Sequence, residues 1–237
     1  MKNVHILGKD EEKISEMKKK LEEKGFIYVE ENPDLVICYG GDGMFLIAER
    51  VFPNVPKILI KDSLICNMCC DFPIEKAIDL YEKGNYEILE IKKLKAVFKG
   101  RFEVRELLGV NDIVIRNSLP TEAVRFNVLV NGEKVSEKTL IGDGVVIATP
   151  YGSSNGAYFH SICKENFSEG IGVAFNNISE KKSCLILKKE DNIEIEILRG
   201  TAILVADNNR DFINLENGDK ISIKQTEDIA KKIMLKE

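Results

Sequence analysis

Strand-like and helix-like patterns alternate through the first ninety residues of the chain. The four apolar runs that have the length of buried strands are Val4–Leu7, Phe26–Val29, Leu35–Tyr39 and Ile58–Ile60. Helix patterns occupy the segments between and after them, and the first has Asp10 as a candidate N-cap and Gly25 at its end. Because parallel strands need long crossover connections, this alternation predicts a parallel α/β sheet.

After about Glu90 the apolar residues follow a two-residue period, which is typical of strands with one buried face. Tight-turn signals at Asn131-Gly132 and Asn217-Gly218 indicate hairpins. We therefore predict a mainly antiparallel β region with one helix just after Gly152. The last stretch, Glu227–Leu235, is predicted to be a helix that packs back on the first domain.

Charge and hydropathy narrow the class of function. The 237 residues carry 34 Lys and Arg against 39 Asp and Glu, a formal net charge of -5. Sequence-independent binding to nucleic acid needs an excess of cationic side chains, so no nucleic-acid partner is expected. No apolar run approaches the roughly 20 residues that cross a bilayer, and no signal-peptide pattern is seen. We expect a cytoplasmic protein that acts on a small molecule, with no membrane partner.

Cysteine is clustered at one place, Cys66, Cys69 and Cys70. A closed zinc site usually needs four ligands, and no second Cys-x-x-Cys or paired histidine supplies the others. We expect these cysteines to be reduced thiols that act as small hydrophobic side chains. A redox or metal role is the alternative.

The tetrapeptide Gly40-Gly41-Asp42-Gly43 lies where a predicted strand passes into a predicted helix. Glycines at such a junction let the backbone approach phosphates, and the helix N-terminus offers N–H donors. A carboxylate there would repel a phosphate unless Mg²⁺ or a substrate hydroxyl intervenes, which suggests Asp42 as a general base. The alternative is a tight turn whose aspartate caps the helix.

Two further segments carry small polar residues beside glycine. Gly142-Asp143-Gly144 precedes an apolar strand and the run Thr149-Pro150-Tyr151-Gly152-Ser153-Ser154. Hydroxyl groups between glycines can hydrogen-bond a ribose, an adenine edge or a phosphate. Asn111-Asp112 heads another predicted strand, and an amide beside a carboxylate suits a diol, although an ordinary loop end explains it equally well.

The order of these motifs resembles that of the NAD kinase family. That family carries Gly-Gly-Asp-Gly, an Asn-Glu pair, and then Gly-Asp-Gly followed by Thr-Pro-x-Gly-Ser-Thr-Ala-Tyr. This chain has corresponding motifs in the same order over roughly residues 35–225. The combination indicates the superfamily that also includes diacylglycerol and sphingosine kinases.

The resemblance implies an α/β fold of two domains. The first, residues 1–92, would be a Rossmann-like parallel-sheet domain with the glycine loop, against which the predicted C-terminal helix 226–237 packs. The second, residues 93–225, would be an all-β sandwich domain that binds the substrate. Members of the family form homodimers or homotetramers and require Mg²⁺, and the same is expected here.

The resemblance also implies roles for the matching residues. Asp42 would take the proton from the attacking 2′-hydroxyl of NAD, and Gly40, Gly41 and Gly43 would shape the loop around the ATP phosphates. The positions that would contact the dinucleotide or line the nucleotide cleft are Asn111, Asp112, Asp143, Thr149, Gly152, Ser153 and Ser154. Asp112 replaces the family's glutamate with a carboxylate one methylene shorter.

Departures from the family pattern before residue 71 bear on the substrate. Met44 stands where the family has Thr or Ser after the glycine loop. Residues 59–70 lack two family glycines and an aromatic residue that would contact the dinucleotide. Lys61 adds a cation near the expected cleft, and we include it among the predicted ligand-binding residues.

Two departures lie later in the chain. The family tyrosine aligns without a gap to Gly156, and only a two-residue shift recovers it as Tyr158, which we also include as ligand-binding. Asp207 alone remains of the family's Asp-Gly-Gln turn. The groups for phosphoryl transfer are therefore better kept than those for NAD.

The leading prediction is an NAD kinase-type phosphotransferase that uses ATP to phosphorylate the adenosine 2′-hydroxyl of NAD and gives NADP. ATP is the expected phosphoryl donor and Mg²⁺ the expected cofactor, and no residue is assigned as a direct metal ligand. Two alternatives stay open. One is a kinase of the same fold acting on another small hydroxyl substrate (a nucleoside, sugar or polyol), and the other is a non-catalytic nucleotide-binding regulator.

Overall fold

The computed structural model describes residues 2–64, 66–100 and 103–237. The chain divides into two compact units. Unit 1 comprises Met1–Ile91 and Asp228–Glu237, and unit 2 comprises Lys92–Glu227. In the described part of the chain, no helix combines the length and apolar character needed to span a membrane.

Unit 1 alternates strands and helices as predicted. Its elements in chain order are β1 (Asn3–Leu7), α1 (Glu11–Glu23), β2 (Ile27–Tyr28), β3 (Leu35–Gly40), α2 (Asp42–Val51), β4 (Lys57–Lys61), α3 (Ile74–Glu82) and the start of β5 (Tyr86–Lys99). The Asp10 carboxylate accepts a hydrogen bond from the Lys13 amide at 3.1 Å, so the predicted N-cap of α1 is confirmed.

Unit 2 is mainly β. Its elements are the rest of β5, then β6 (Val104–Gly109), β7 (Asp112–Asn117), β8 (Val124–Val130), β9 (Glu133–Lys134), β10 (Leu140–Gly142), β11 (Gly144–Ala148), α4 (Pro150–Asn155), α5 (Ala157–Ile162), β12 (Ile171–Asn176), β13 (Leu185–Leu187), β14 (Ile193–Arg199), β15 (Ala202–Ala206), β16 (Ile213–Leu215) and most of β17 (Lys220–Leu235). Two short helices therefore stand where one was predicted.

The sheet of unit 1 is parallel and has its strands in the order β2-β1-β3-β4-β17. The chain starts in the middle, moves to β2 on one side and then continues from β3 on the other. The point where the direction changes lies between β1 and β3, and in such sheets ligands bind outside the carboxyl ends of the strands at this point. The core of unit 1 packs α1 and α3 against the sheet through Met17, Leu21 and Ile78, among others.

The predicted helix over residues 226–237 is wrong, because this segment is the end of β17. Lys232 pairs with Lys57 of β4 in parallel register, and Ile233 packs into the core of unit 1. Ile229 and Ile233 are four residues apart, a spacing that puts them on one face of either a helix or a strand. Backbone pairing with β4 decides in favour of the strand, since tertiary context overrides a weak local preference.

Unit 2 forms a sandwich of two antiparallel sheets. In one, β8 pairs with β14 and β10, β14 pairs with β17, and β5 pairs with β6. The other has the order β13-β12-β11-β7-β15-β16. Their inner faces share one core, with Phe126 and Ile195 from the first sheet and Ile115, Ile147 and Leu204 from the second. The predicted α/β fold with a parallel-sheet domain and an all-β sandwich domain is confirmed.

Candidate functional site

The glycine loop lies at the carboxyl end of β3, beside the point where the strand order reverses. Gly40 ends β3, Gly41 is the N-cap of α2, and Asp42 and Gly43 are the first two residues of that helix. Gly40 has φ +155, an angle that side-chain-bearing residues rarely adopt, although a Cβ there would meet nothing closer than 3.6 Å. Glycine is therefore required at residue 40 by the backbone angle rather than by space.

The Asp42 carboxylate is held by the segment that follows β4. Its Oδ2 accepts a hydrogen bond from the Asn67 amide at 3.0 Å, and its Oδ1 accepts one from the Met68 amide at 2.9 Å. The Cys66 sulfur lies 2.8 Å from the same Oδ1. At the N-terminus of α2 the helix dipole also favours a negative charge. The structure thus places a carboxyl group with a fixed orientation on the glycine loop.

Cys66 and Cys69 form a disulfide directly beside Asp42. The expectation that these two cysteines are reduced thiols is wrong, because residues three apart in a tight turn bring their sulfurs together, which the spacing alone does not reveal. Cys70 remains a free thiol, as do the buried Cys38 and Cys163. Burial raises the pKa of Cys38 to about 12, as expected for a cysteine used as a small apolar side chain.

Lys61 ends β4 and pairs in register with Gly40, so it lies beside the glycine loop. It lines an open cavity of about 830 Å³ together with Lys13, Tyr39, Asp62 and Cys70. In this cavity Asp62 accepts hydrogen bonds from Lys13 at 2.8 Å and from the Tyr39 hydroxyl at 2.9 Å. Lys61 itself lies 3.7 Å from the exposed Asp71 carboxylate. The cavity therefore offers an exposed lysine at the carboxyl edge of the sheet.

Lys232 is a component of this region that the sequence did not indicate. It is only 6% exposed, and it is close enough to the Asp42 carboxylate and the Cys70 thiol to interact with both electrostatically. Burial lowers the pKa of Lys232, and the charges of Asp42 and Cys70 partly oppose this shift. The interpretation of residues 227–235 as a helix concealed this lysine, since only the pairing of β17 with β4 brings it near the loop.

In unit 2, three predicted residues meet where β7 begins. The Thr149 hydroxyl donates to the Val110 carbonyl at 2.7 Å, and the Thr149 amide donates to the Asn111 carbonyl at 2.9 Å. Thr149 also caps α4, because its hydroxyl oxygen accepts from the Gly152 amide at 2.9 Å. A Cβ on Gly152 would lie 1.9 Å from the Asn111 carbonyl oxygen, so glycine is required by this close approach.

Asp207 organises the same place from the end of β15. Its carboxylate accepts hydrogen bonds from three successive amides, those of Val110, Asn111 and Asp112, at 2.9, 2.7 and 3.2 Å. Asp207 therefore holds the Asn111-Asp112 pair in place. The Asn111 side-chain oxygen is buried without a hydrogen-bond partner in the described structure, which leaves it an acceptor for a ligand.

Asp112 is buried, and its carboxyl group faces Gly156, where an added Cβ would lie 3.0 Å from Asp112 Oδ2. Burial, and then the charge of Asp207, raise the pKa of Asp112 to about 7. Near neutral pH the Asp112 carboxyl group is therefore protonated in some molecules and ionised in the others. In the protonated form it can donate a hydrogen bond as well as accept one.

This raised pKa makes the stability of unit 2 depend on pH. In the unfolded chain Asp112 titrates near 3.9, so between about pH 4 and pH 7 the folded state binds more protons than the unfolded state. We expect the Asp112 contribution to the free energy of unfolding to fall by about 2–3 kcal/mol between pH 5 and pH 8. Asp112→Asn should remove that loss, so urea unfolding of both proteins at the two pH values checks it. An equal pH dependence in both would contradict the prediction.

The other predicted residues of unit 2 do not all belong to this cluster. Ser153 is buried, and its hydroxyl donates to the Pro150 carbonyl at 2.7 Å, so it supports α4. Ser154 and Tyr158 are exposed on α4 and α5. Asp143 lies at the far end of β11 from Thr149, roughly 20 Å away along an extended strand. Its carboxylate instead accepts a hydrogen bond from Asn177 at 3.1 Å.

The sequence is similar to curated proteins that are named NAD kinase. No protein-family model matches the sequence. An NAD kinase of Saccharolobus islandicus (strain M.14.25) is 36% identical over 146 residues, which cover 60% of this chain and 53% of that protein. The chain thus spans about half the length of this Saccharolobus relative. An NAD kinase of Streptococcus gordonii is 28% identical over 215 residues, which cover 82% of this chain and 74% of that protein.

Solved structures of the same fold cover the whole chain. Yeast NADH kinase complexed with NADH superposes with a TM-score of 0.84 at 18% identity, over 100% of this chain and 84% of that one. An NAD kinase from Archaeoglobus fulgidus in complex with ATP gives a TM-score of 0.76 at 18% identity, over 100% of this chain and 94% of that one. At this identity the likeness establishes the shared two-domain fold.

Proposed function

We propose that the chain is a member of the NAD kinase family, as its similarity to NAD kinases suggests, and that it is a phosphotransferase acting on an NAD-type dinucleotide. The specific reaction is transfer of the terminal phosphoryl group of ATP to the adenosine 2′-hydroxyl of NAD, which gives NADP. The names of the relatives, NAD kinase and NADH kinase, and the ATP in the Archaeoglobus structure support this choice of acceptor and donor.

Asp42 is the observation that carries the proposal. The Asp42 carboxylate lies at the end of a parallel strand, on a glycine loop at the start of α2, and has the chemistry to accept a proton from a hydroxyl group. The amides of Asn67 and Met68 fix its orientation. As the hydroxyl oxygen attacks the phosphorus atom of ATP, its proton passes to Asp42 and ADP leaves. The loop amides stabilise the negative charge on the phosphoryl oxygens.

The donor atoms around the loop fit Mg²⁺ that arrives with the triphosphate. Mg²⁺ prefers oxygen ligands and is commonly bound by one or two carboxylates together with substrate phosphates. Of the described residues near the loop, Asp42 supplies a carboxylate, whereas Cys66 and Cys69 offer only sulfur. Asp42 is therefore a residue that would contact Mg²⁺. When bound, the ion would neutralise charge on the phosphates.

Unit 2 by itself carries polar groups with the chemistry to bind a ribose. The unpaired Asn111 side-chain oxygen and the Asp112 carboxyl group can accept or donate hydrogen bonds to a ribose diol. Thr149 and Gly152 fix the backbone around them. The family resemblance also supports a cytoplasmic homodimer or homotetramer.

A second candidate acceptor follows from a specific observation. The disulfide-bearing segment after β4 replaces the family's glycine-containing one, and Tyr158 is 49% exposed on α5 rather than buried in unit 2. Losing one aromatic stacking partner weakens binding by about 0.5–1.5 kcal/mol. A kinase of this fold with a different small hydroxyl substrate, such as a nucleoside, sugar or polyol, would tolerate these changes.

The test is formation of NADP by the purified protein with ATP, Mg²⁺ and NAD, read with an NADP-specific dehydrogenase. NADH, nucleosides, sugars and polyols are supplied in parallel, and release of ADP is measured in each. NADP formation above the rate with other acceptors is the expected result. ADP release only with a non-dinucleotide acceptor would favour the second candidate. Binding of ATP with no ADP release with any acceptor would contradict both.

A further inference from the structure

We propose that reduction of the Cys66–Cys69 disulfide opens a site for a thiophilic divalent cation such as Zn²⁺, with the two cysteine sulfurs and the Asp42 carboxylate as ligands. We also expect the bound cation to block Asp42 from acting as the general base, and this expectation rests on the proposed function. The existence of the metal site does not depend on the proposed function.

The three ligand atoms already lie together. One oxygen of Asp42 and the sulfurs of Cys66 and Cys69 are all within 4.8 Å of one another, and Cys66 Sγ is 2.8 Å from Asp42 Oδ1. Zn–S bonds of about 2.3 Å in a tetrahedral site put two sulfurs roughly 3.8 Å apart. Breaking the disulfide therefore requires the sulfurs to separate by only about 2 Å to reach this arrangement.

The types of ligand atom determine which metal ion this site would bind. Two thiolates with a Cys-x-x-Cys spacing are typical zinc ligands, whereas Mg²⁺ takes oxygen ligands. Three protein ligands leave the fourth position of a tetrahedral ion open to water or a phosphate oxygen. All three residues are partly exposed, so both a metal ion and a reductant can reach them.

The surroundings support a cation in the reduced form. The Asn67 and Met68 amides orient the Asp42 carboxylate, as outer partners commonly orient metal-ligating carboxylates. Two thiolates and one carboxylate carry three negative charges, so a bound divalent cation leaves one. The buried Lys232 side chain lies in electrostatic range of Asp42, and in its protonated form it would balance that charge.

The switch is a thiol–disulfide exchange with a dithiol as the reductant. One thiolate of the dithiol attacks a sulfur of the Cys66–Cys69 bond and forms a mixed disulfide, and its second thiol then displaces that bond. The dithiol becomes a disulfide, and two electrons and two protons pass to Cys66 and Cys69. Binding of the cation releases the two thiol protons.

The experiment titrates the full chain with Co²⁺ under anaerobic conditions, before and after reduction and removal of the reductant. The reduced protein is expected to bind one equivalent, with the sulfur-to-cobalt charge-transfer and tetrahedral ligand-field absorption of a thiolate site, and Zn²⁺ should displace it. The oxidised protein should show neither band. Circular dichroism confirms that each variant used below is folded.

Variants assign the ligands. Cys66→Ser and Cys69→Ser should each weaken binding at least 100-fold, and Asp42→Asn at least 10-fold. Cys184→Ser, which removes another partly exposed cysteine of the chain, is the matched control and should bind as the unaltered protein does. Charge-transfer bands that persist in Cys66→Ser or Cys69→Ser, or that are missing from the reduced unaltered protein, would overturn the proposal.

Inhibition of the kinase reaction is a second measurement, separate from the cobalt spectrum. Where the kinase reaction is detected, Zn²⁺ in excess of its Kd should inhibit the reduced protein at least tenfold more than the oxidised protein. Equal inhibition of the reduced and oxidised proteins would contradict the expectation that a cation bound at this site blocks Asp42. Without any kinase reaction the cobalt spectrum still decides whether the metal site exists, so failure of the proposed function and failure of this inference remain distinguishable.

Discussion

Replacement of Asp42 by asparagine is expected to lower kcat by about 10²- to 10⁴-fold, which is the contribution typical of a positioned general base. The amide group has the same shape but cannot take the hydroxyl proton. It also keeps only one oxygen, so either Asn67 or Met68 loses its hydrogen-bond acceptor while α2 keeps its start at residue 42. We therefore expect ATP binding and the melting temperature to change much less than turnover. Steady-state kinetics and a thermal melt of the same preparation check both.

Asp79→Asn provides the matched control for this variant. Asp79 lies on α3, where its carboxylate pairs with Lys24 on the surface of unit 1. The substitution is chemically the same and both side chains of the pair are partly exposed, so kcat should stay within a factor of two. Turnover by Asp42→Asn equal to that of Asp79→Asn would show that Asp42 is not the base.

Replacement of Gly152 by alanine is expected to destabilise unit 2 by about 4 kcal/mol or to prevent its folding. The added Cβ would lie 1.9 Å from the Asn111 carbonyl oxygen and 2.5 Å from its carbonyl carbon, so backbone must move. That movement also disturbs the hydrogen bonds of Thr149 to Val110 and Asn111. Urea unfolding followed by circular dichroism measures the loss.

Gly132→Ala separates backbone overlap from backbone angle. Gly132 has φ +88 in the turn between β8 and β9, and an added Cβ there would meet nothing within 4 Å. Gly132→Ala should therefore lower the free energy of unfolding only by the cost of the strained φ angle, about 1–2 kcal/mol. A loss for Gly152→Ala no larger than that for Gly132→Ala would mean that the close approach to Asn111 is relieved without cost.

The sequence predicts those parts of the structure that depend on neighbours along the chain. Asp10 caps α1 as its position indicated, and the glycine loop lies at the junction of β3 and α2. The strand that carries Lys232 was missed because its stabilising partner, β4, is distant in the sequence. The apolar spacing of residues 229–233 fits helix and strand alike, and only a long-range backbone pairing separates the two.

The sequence indicates the residue types of the candidate site but not their arrangement. Thr149, Gly152, Asn111 and Asp112 do meet in unit 2, whereas Asp143 lies at the other end of β11. The motif order could not reveal this separation, because an extended strand between two motifs places them far apart while a turn would bring them together. The Cys66–Cys69 disulfide was likewise hidden, since spacing does not specify a turn.

The last strand has a consequence for folding during synthesis. The open edge of β4 in unit 1 is paired by residues of β17 that follow about 170 positions later in the chain. At roughly 5–20 residues per second, a ribosome needs on the order of 10–30 s to add them. Throughout that interval β4 is paired with β3 on one side only and exposes its other edge, the kind of edge to which other chains can add. We therefore expect the folding of unit 1 to be more sensitive to the rate of translation than the size of the chain suggests.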